Sequence, residues 1–288
     1  MKKKVLGLVL ACVMVASLAG CGSNGGSTAS SAASQASTAE KKVLKVGMEA
    51  DYIPFNWTQA DDSNNAAKIS KESGGGFAGG YDVMVAQKIA DGLGMELEVV
   101  KTEWDGLSPA LTSGKIDLII AGMSPTAERK ETIDFTDSYY QSDLVVVLKK
   151  DSKFAEAKAL ADFKGAKITG QLNTFHYSVI DQIEGVDKQN ALEDFATMIA
   201  ATKSGKIDGY ISEKPGALGA VAANPELSYV EFASGKGFEY DTNDTSIAVG
   251  VKKGSDLTAK INDILKTISK EDREKMMEDA IKFQPKVD

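Results

Sequence analysis

The chain has 288 residues, of which 43 % are hydrophobic and 26 % charged, and this suits one large or two medium globular domains. A formal net charge of −8 argues against nucleic-acid binding, which depends on clustered Lys and Arg. Two cysteines and one histidine are too few for a thiolate or multi-histidine metal site, so we expect no metal and no cofactor.

The first residues have the pattern of a secretory signal. MKKK is basic, VLGLVLACVMVASLA is apolar, and LAGC ends the segment. Small residues before Cys21 are typical of a lipoprotein cleavage site, although an ordinary signal with a chance cysteine has the same appearance. We predict a signal peptide at 1–20, acylation of Cys21 (palmitate) and a Ser/Ala/Gly-rich disordered tether at 21–42. The protein would then be anchored to the outer face of the cell membrane, or be periplasmic in a two-membrane envelope.

Predicted strands and helices alternate after the tether. The strands are LKVGM, MELEVV, IDLII, AKIT and IDGYI. The helices are YDVMVAQKIADGLG, WDGLSPALTSG, FHYSVIDQI, a segment with Phe195, Met198 and Ile199 facing inward, one from about Lys214, and two at the C-terminus. This alternation is typical of an α/β fold with mostly parallel strands.

The pentapeptide SGKID occurs twice, at Ser113–Asp117 and Ser204–Asp208. Its glycine is predicted to end a helix in the left-handed conformation, and its isoleucine to begin a buried strand. The charged residue that follows differs, Arg129 after the first copy and Glu213 after the second. Ligands bind beyond the carboxyl ends of parallel strands, so we expect these opposite charges to face one cleft.

Two extended apolar runs divide the chain. DLVVVLKK and TSIAVGVKK are longer than a sheet edge needs and are predicted to cross between two lobes. Lobe 1 would comprise 43–140 together with 245–288, lobe 2 would comprise 144–235, and the hinges would be 141–143 and 236–244.

Several segments resemble the extracytoplasmic amino-acid-binding proteins of ABC importers. They are LKVGMEADYIPFNW, GYDVMVAQKIA, WDGLSPALTSGKIDLIIAGMSPTAERKETIDFTDSYY and QLNTFHYSVI, and the similarity covers nearly the whole chain beyond the tether. The resemblance implies a periplasmic-binding-protein-like fold (type II), in which two α/β lobes joined by two hinge crossings close on one free amino acid. It also implies a monomer that delivers its ligand to an importer's permease.

The resemblance assigns the groups that would bind the ligand's carboxylate. Arg129 matches the arginine that contacts this group, and Gly122 and Ser124 match positions that offer a backbone amide or a side-chain oxygen. Thr174 and Phe175 fall where a helix N-terminus of lobe 2 donates backbone N–H groups to the same anion.

The remaining positions would surround the ammonium and the side chain. Glu213 matches an acid that receives the α-ammonium, and Glu49 an acid that meets the distal polar group. Tyr52 and Tyr81 match aromatic walls. Without the resemblance, Arg129 is equally well a solvated arginine with an Asp partner. The alternatives for the two acids are a helix N-terminal carboxylate for Glu213 and a pair with a surface lysine for Glu49.

Three features depart from the family pattern. Asn173 stands where glycine is usual. The loop over 57–79 is longer than in many relatives and would add Trp57 to the pocket. Both acids, Glu49 and Glu213, are one methylene longer than the usual aspartate.

His176 is predicted to be a surface or cleft-edge residue of its helix.

Glu49 decides the predicted ligand. A carboxylate flanked by aromatic rings suits a cationic side chain, which favours lysine or arginine; glutamine or another polar amino acid is the alternative, since a carboxylate also accepts amide N–H groups. Two other classes share this fold: a cyclohexadienyl-dehydratase-like lyase with Glu49 or Glu213 as acid or base, and a tethered sensor or adhesin. The paired charges for a zwitterion favour a binding protein over an enzyme.

Overall fold

The computed structural model describes residues 42–285. The predicted signal peptide, Cys21 and all of the predicted tether except Lys42 lie outside the described residues. Within the described part of the chain, no helix is long and apolar enough to cross a membrane.

The predicted order of elements is confirmed, with additional short strands. The strands are β1 (Val43–Met48), β2 (Asp51–Tyr52), β3 (Asn56–Gln59), β4 (Ala67–Lys68), β5 (Phe77–Gly79), β6 (Glu96–Lys101), β7 (Leu118–Ile119), β8 (Ile133–Gln141), β9 (Leu144–Lys149), β10 (Lys167–Thr169), β11 (Asp187–Lys188), β12 (Gly209–Glu213), β13 (Leu227–Val230) and β14 (Ser246–Lys252). The α-helices are α1 (Tyr81–Leu93), α2 (Leu107–Ser113), α3 (Ala127–Thr132), α4 (Phe175–Ser178), α5 (Phe195–Lys203), α6 (Lys214–Ala223), α7 (Thr242–Thr245), α8 (Leu257–Lys266) and α9 (Lys270–Phe283).

Two five-stranded sheets have the same arrangement. The first has the order β6-β1-β7-β14-β8, and the second the order β11-β10-β12-β9-β13. In the first sheet β1 runs parallel to β6 and β7, whereas β14 is antiparallel to β7 and β8. The second sheet repeats this pattern with β10 and β9 in the corresponding places. In each of these two sheets four of the five strands therefore run in the same direction, and only the strand that follows a crossing, β14 or β9, runs the opposite way. The prediction of mostly parallel strands is confirmed for both five-stranded sheets.

The segment predicted as a long loop folds into a third sheet. Its order is β2-β3-β5-β4, and all its pairings are antiparallel. Each strand has only two to four residues, too few for a recognisable alternation of apolar and polar positions. Three consecutive glycines with positive φ, Gly74 to Gly76, make the turn that returns the chain to β5.

Both copies of SGKID have the predicted helix ends, but the predicted strand starts are wrong by two residues. Ile116 and Ile207 are buried as expected, whereas β7 begins at Leu118 and β12 at Gly209. Gly114 and Gly205 have φ of 79° and 73°, so the left-handed helix ends are confirmed. The aspartate of each copy has a further role: Asp117 accepts a hydrogen bond from the backbone N–H of Lys45, and Asp208 accepts one from that of Lys167. Each motif thus ties its own strand to the neighbouring parallel strand.

The chain passes between the sheets at two adjacent places. β8 ends at Gln141 in the first sheet and β9 begins at Leu144 in the second, while the N–H of Ser142 donates to the carbonyl of Thr245, just before β14. Phe238, within the predicted hinge 236–244, packs against Phe232 in the apolar core of the second sheet.

Candidate functional site

A small cavity of about 20 Å³ lies between the two five-stranded sheets. From the first side it is lined by Tyr52, Trp104, Gly122, Ser124 and Arg129, and from the second by Gln171, Thr174, Phe175, His176, Phe195 and Glu213, with Asp244 of α7 beside the return crossing. Seven of the ten predicted ligand-binding residues are in this lining. Among the described residues, no group of three His, Cys, Asp or Glu side chains is placed to hold a metal ion.

The guanidinium of Arg129 lies across the cleft. The side chain leaves α3, whose N-cap Thr126 accepts the backbone N–H of Arg129. Its Nη1 donates to the carbonyl of Ser124 at 2.9 Å, and its Nη2 to the carbonyl of Asn173, on the opposite side, at 3.3 Å. Its Cζ is 5.0 Å from the centroid of the Trp104 ring. Burial lowers the pKa of Arg129 to about 10, which leaves it charged at neutral pH.

The carboxylate of Glu213 ends β12 and is 1 % exposed. Its Oε1 accepts from Nε2 of His176 at 2.9 Å, and its Oε2 accepts from the hydroxyl of Tyr52. It is also the N-cap residue of α6 but caps no backbone N–H with its side chain, so its contacts differ from those of a helix N-terminal carboxylate. Burial would raise the pKa of Glu213, but the attraction and hydrogen bond of His176 and the hydrogen bond of Tyr52 hold it below its ordinary value.

His176 is buried, not on the surface. It is 9 % exposed, and its Nδ1 is enclosed without a hydrogen-bond partner among the described residues. His176 is the second residue of the four-residue helix α4, and its side chain faces inward to Glu213. The imidazole contacts the carboxylate that the resemblance assigns to the ligand's ammonium.

Glu49 follows β1 and is 7 % exposed. Its Oε1 accepts from Nε2 of Gln171 at 3.0 Å, a contact across the cleft and not the surface lysine pair considered above. Burial raises the pKa of Glu49 to about 8; Gln171 opposes the shift, and Asp194 is among the nearby acids that add to it. Glu49 adjoins the cavity through Gln171 and is mostly protonated at neutral pH.

Tyr52 stacks between two aromatic rings. Its centroid is 4.9 Å from that of Phe55 and 4.2 Å from that of Phe195. A Cβ at Gly122 would lie 2.9 Å from Cε1 of Tyr52, and Gly122 has a φ of 64°, so only glycine is accommodated without strain there. The ring of Tyr52 can therefore pack against the backbone at this position only because residue 122 is glycine.

Two of the predicted aromatic walls lie elsewhere. Tyr81 is fully buried at the start of α1 and donates its hydroxyl to the carbonyl of Tyr139, so it belongs to the core beneath the site. The indole N–H of Trp57 donates to Gln59, and the ring lines a separate apolar groove. The small third sheet is the reason for the position of Trp57, because β3 pairs with β5 and turns the ring away from the cavity.

Other side chains take the places around the cavity. Trp104 follows the carboxyl end of β6, and Gln171 follows that of β10. The sequence analysis missed both, although a position after a parallel strand is a signal that could have identified them. Phe195 was predicted only as an inward-facing residue of its helix. No local pattern distinguishes Phe195 or Asp244 as cavity residues.

Asn173 has a φ of 55°, in the left-handed region that glycine adopts most readily and asparagine tolerates. The side chain adds a contact that glycine lacks, since its Nδ2 donates to Oδ1 of Asp105 on the first side at 2.9 Å. Thr174, next in the chain, donates its hydroxyl to the carbonyl of Gln171.

These features define a two-lobed solute-binding protein of the periplasmic-binding-protein type, in which a cation from one lobe and a carboxylate from the other reach one cavity. The chain belongs to the bacterial extracellular solute-binding proteins, family 3, whose sequence model matches residues 44–280. The fold class and the family predicted from the sequence are confirmed.

Named relatives support the assignment. The chain is 36 % identical over 199 residues to a probable histidine-binding protein of Campylobacter jejuni, covering 68 % of this chain and 71 % of that protein. It is 31 % identical over 271 residues to the arginine-binding extracellular protein ArtP of Bacillus subtilis, covering 92 % of each. A structure of an amino acid ABC transporter substrate-binding protein from Streptococcus pneumoniae bound to L-arginine matches with a TM-score of 0.72 at 27 % identity, over 83 % of this chain and 94 % of that one.

Proposed function

We propose that this protein captures a free amino acid with a cationic side chain, lysine or arginine, outside the cytoplasm and delivers it to the permease of an ABC importer. The observation that carries the proposal is the approach of Arg129 and Glu213 to one cavity from opposite sides. The proposal includes a monomeric protein anchored through Cys21, with lobes and hinges at the boundaries predicted from the sequence.

The paired charges suit a zwitterion. A free amino acid carries a carboxylate and an ammonium, and burying either without compensation is prohibitively costly. A guanidinium binds a carboxylate through two parallel hydrogen bonds, so Arg129 is assigned to the α-carboxylate together with Gly122, Ser124, Thr174 and Phe175. Glu213 is assigned to the α-ammonium. Because the anchors come from different lobes, only the closed form makes every contact, and ligand binding favours that form.

The cavity must enlarge before an amino acid can bind. A cavity of about 20 Å³ has room for roughly one water molecule, so an amino acid requires the two sides to separate or side chains to move. His176 and Tyr52 each donate to one oxygen of Glu213, and each oxygen keeps a further lone pair for the ligand's ammonium.

The side-chain pocket favours a cation. Glu49 and Gln171 form its polar end, and the ring of Trp104 is its aromatic wall, because Phe55 and Phe195 stack on the ring of Tyr52. A guanidinium or ammonium would gain both a carboxylate partner and a cation–π contact with Trp104 there. The relatives named for arginine and histidine are consistent with this chemistry. Glutamine is the alternative, as Glu49 accepts from an amide in this structure.

A screen of the twenty amino acids by thermal shift tests the proposal. A ligand that binds only the folded protein stabilises it by RT ln(1 + [L]/Kd), about 2.7 kcal/mol at a hundredfold excess over Kd. We expect a clear rise in Tm with arginine or lysine, a smaller one with glutamine, and none with glutamate. A rise confined to acidic or aliphatic amino acids would overturn the role of Glu49.

Arginine binding at pH 7 should release protons. The pKa of Glu49 is about 8, so the carboxyl is mostly neutral in the free protein and is ionised by a bound cation. Affinity for arginine should therefore rise as the pH increases from 6 toward 8. Titration calorimetry at pH 7 in two buffers of different ionisation enthalpy should show the release of up to one proton.

The matched control is Glu49→Gln, which has no proton to release and should lose both the buffer dependence and most of the pH dependence. The neutral ligand glutamine should release no proton from the unsubstituted protein. Buffer-independent heats of arginine binding at pH 7 would contradict the assignment of Glu49 to the cationic end of the ligand.

A lyase activity is the second candidate. A buried carboxyl with a pKa of about 8 beside a cleft is suited to general acid catalysis, which favours this reading. We propose binding without turnover, because the two opposite charges match an unreacted amino acid. Incubation with a prephenate-like cyclic acid should leave the substrate unchanged, and product formation that Glu49→Gln abolishes would establish the enzyme instead.

A further inference from the structure

Phe195 stands between two cavities. It lines the small polar cavity, and it also lines an apolar groove of about 770 Å³ formed by residues around Trp57 and by helix α5. Within the described part of the chain, Phe195 is the residue that these two linings share. The ring is therefore the partition between a site with almost no free volume and a groove with ample volume.

Contacts from both sides of the cleft hold the ring of Phe195 in place. Phe195 is the first residue of α5, and the N-cap Asp194 accepts the backbone N–H of Thr197 at 2.6 Å, which holds the start of the helix. Its ring stacks on Tyr52 of the first side with an interplanar angle of 15° and meets His176 edge-on at 6.0 Å. Phe195 thus covers the face of Tyr52 opposite Phe55, a face that a flat ligand group would otherwise use.

The groove behind the ring is mainly apolar. Ala50, Ile53 and Trp57 line it from the first side, and Ile199 and Ala200 from the second. Charged side chains reach it at Asp51, Lys101 and Lys203. Such a lining would accept an apolar or aromatic group but has nothing to replace the polar contacts at Glu213 and Arg129.

We propose that Phe195 is a specificity-determining residue that limits the size of the ligand's side chain by closing the amino-acid site against this groove. The inference rests on the proposed function, since it concerns which amino acids the same site accepts. The ring of Phe195 occupies the space next to the ring of Tyr52. A bulky aromatic ligand is excluded while that ring is in place, and its removal joins the site to the groove.

The test compares tryptophan and arginine binding by titration calorimetry in the unsubstituted protein, Phe195→Ala and Phe195→Leu. The unsubstituted protein should bind arginine at least tenfold more tightly than tryptophan. Phe195→Ala should improve tryptophan binding by tenfold or more, and Phe195→Leu should change it in the same direction by less. Ile199→Ala is the control, because Ile199 lines the groove without reaching the small cavity, and it should leave the ratio unchanged.

The outcomes separate this inference from the proposed function. If the unsubstituted protein binds no amino acid, the proposed function fails and the role of Phe195 fails with it. If it binds arginine and tryptophan equally well, or if both Phe195 variants keep the original ratio, only the inference about Phe195 is overturned. Should Phe195→Ala not fold, the result with Phe195→Leu and the ratio in the unsubstituted protein still decide the question.

Discussion

Arg129→Ala is expected to weaken arginine binding about 100-fold or more. The guanidinium is the cation assigned to the ligand's carboxylate, and truncating one member of a buried, hydrogen-bonded charge pair costs roughly 2–5 kcal/mol. Titration calorimetry on the purified variant measures the loss. The Tm without ligand should change little, because the guanidinium contacts only two backbone carbonyls and Trp104 and is itself disfavoured by burial.

Two further variants make this result specific. Arg129→Lys keeps the charge but loses the planar pair of donors, so its affinity should fall between those of the unsubstituted protein and Arg129→Ala. Lys130→Ala removes an exposed cation from the next position of the same helix and should leave binding unchanged. Equal losses in Lys130→Ala and Arg129→Ala would point to a general charge effect in place of a carboxylate contact.

Glu213→Gln should reduce both ligand affinity and stability. The variant cannot neutralise the ligand's ammonium, so we expect arginine binding to weaken by about 100-fold. The carboxylate also accepts hydrogen bonds from His176 and Tyr52, and breaking a buried pair costs on the order of 3 kcal/mol. Urea unfolding at pH 7 measures the second effect.

The pH dependence of this stability difference has a defined sign. The pKa of Glu213 is lower in the folded protein than in the unfolded chain, so its contribution is complete above the unfolded value and is lost as the pH falls through the folded value. The difference between Glu213→Gln and the unsubstituted protein should therefore shrink in acid. Glu226→Gln is the control, because Glu226 forms an exposed pair with Lys203 and should affect neither binding nor stability appreciably. A stability loss that grows in acid would contradict the ionised state assigned to Glu213.

The sequence predicted the roles of some site residues wrongly, because the positions of those residues depend on tertiary contacts. Trp57 was predicted in the pocket, but it lies on β3 of the third sheet, whose strands of two to four residues are too short for a recognisable periodicity. Trp104, which was predicted inside a helical segment, lines the cavity instead. Tyr81 has the residue type of a pocket wall, yet its hydroxyl bonds to Tyr139, far along the chain. His176 is a similar case, because a four-residue helix has no hydrophobic pattern that shows which way its side chains face.

The sequence predicted the structure correctly where that structure depends on interactions between residues close together in the chain. The glycines of SGKID end their helices because only glycine adopts the left-handed conformation without cost, and both ends are at the predicted residues. Alternating strands and helices indicated α/β architecture, and the strand-end rule together with the family motif put Arg129 and Glu213 at one cavity. By contrast, the raised pKa of Glu49, the contact of His176 with Glu213 and the stacking of Phe195 on Tyr52 depend on residues that are far apart in the chain or on burial by the whole fold. Such contacts depend on how the two halves of the chain pack and on the water that this packing removes, and neither is encoded in any short stretch of residues.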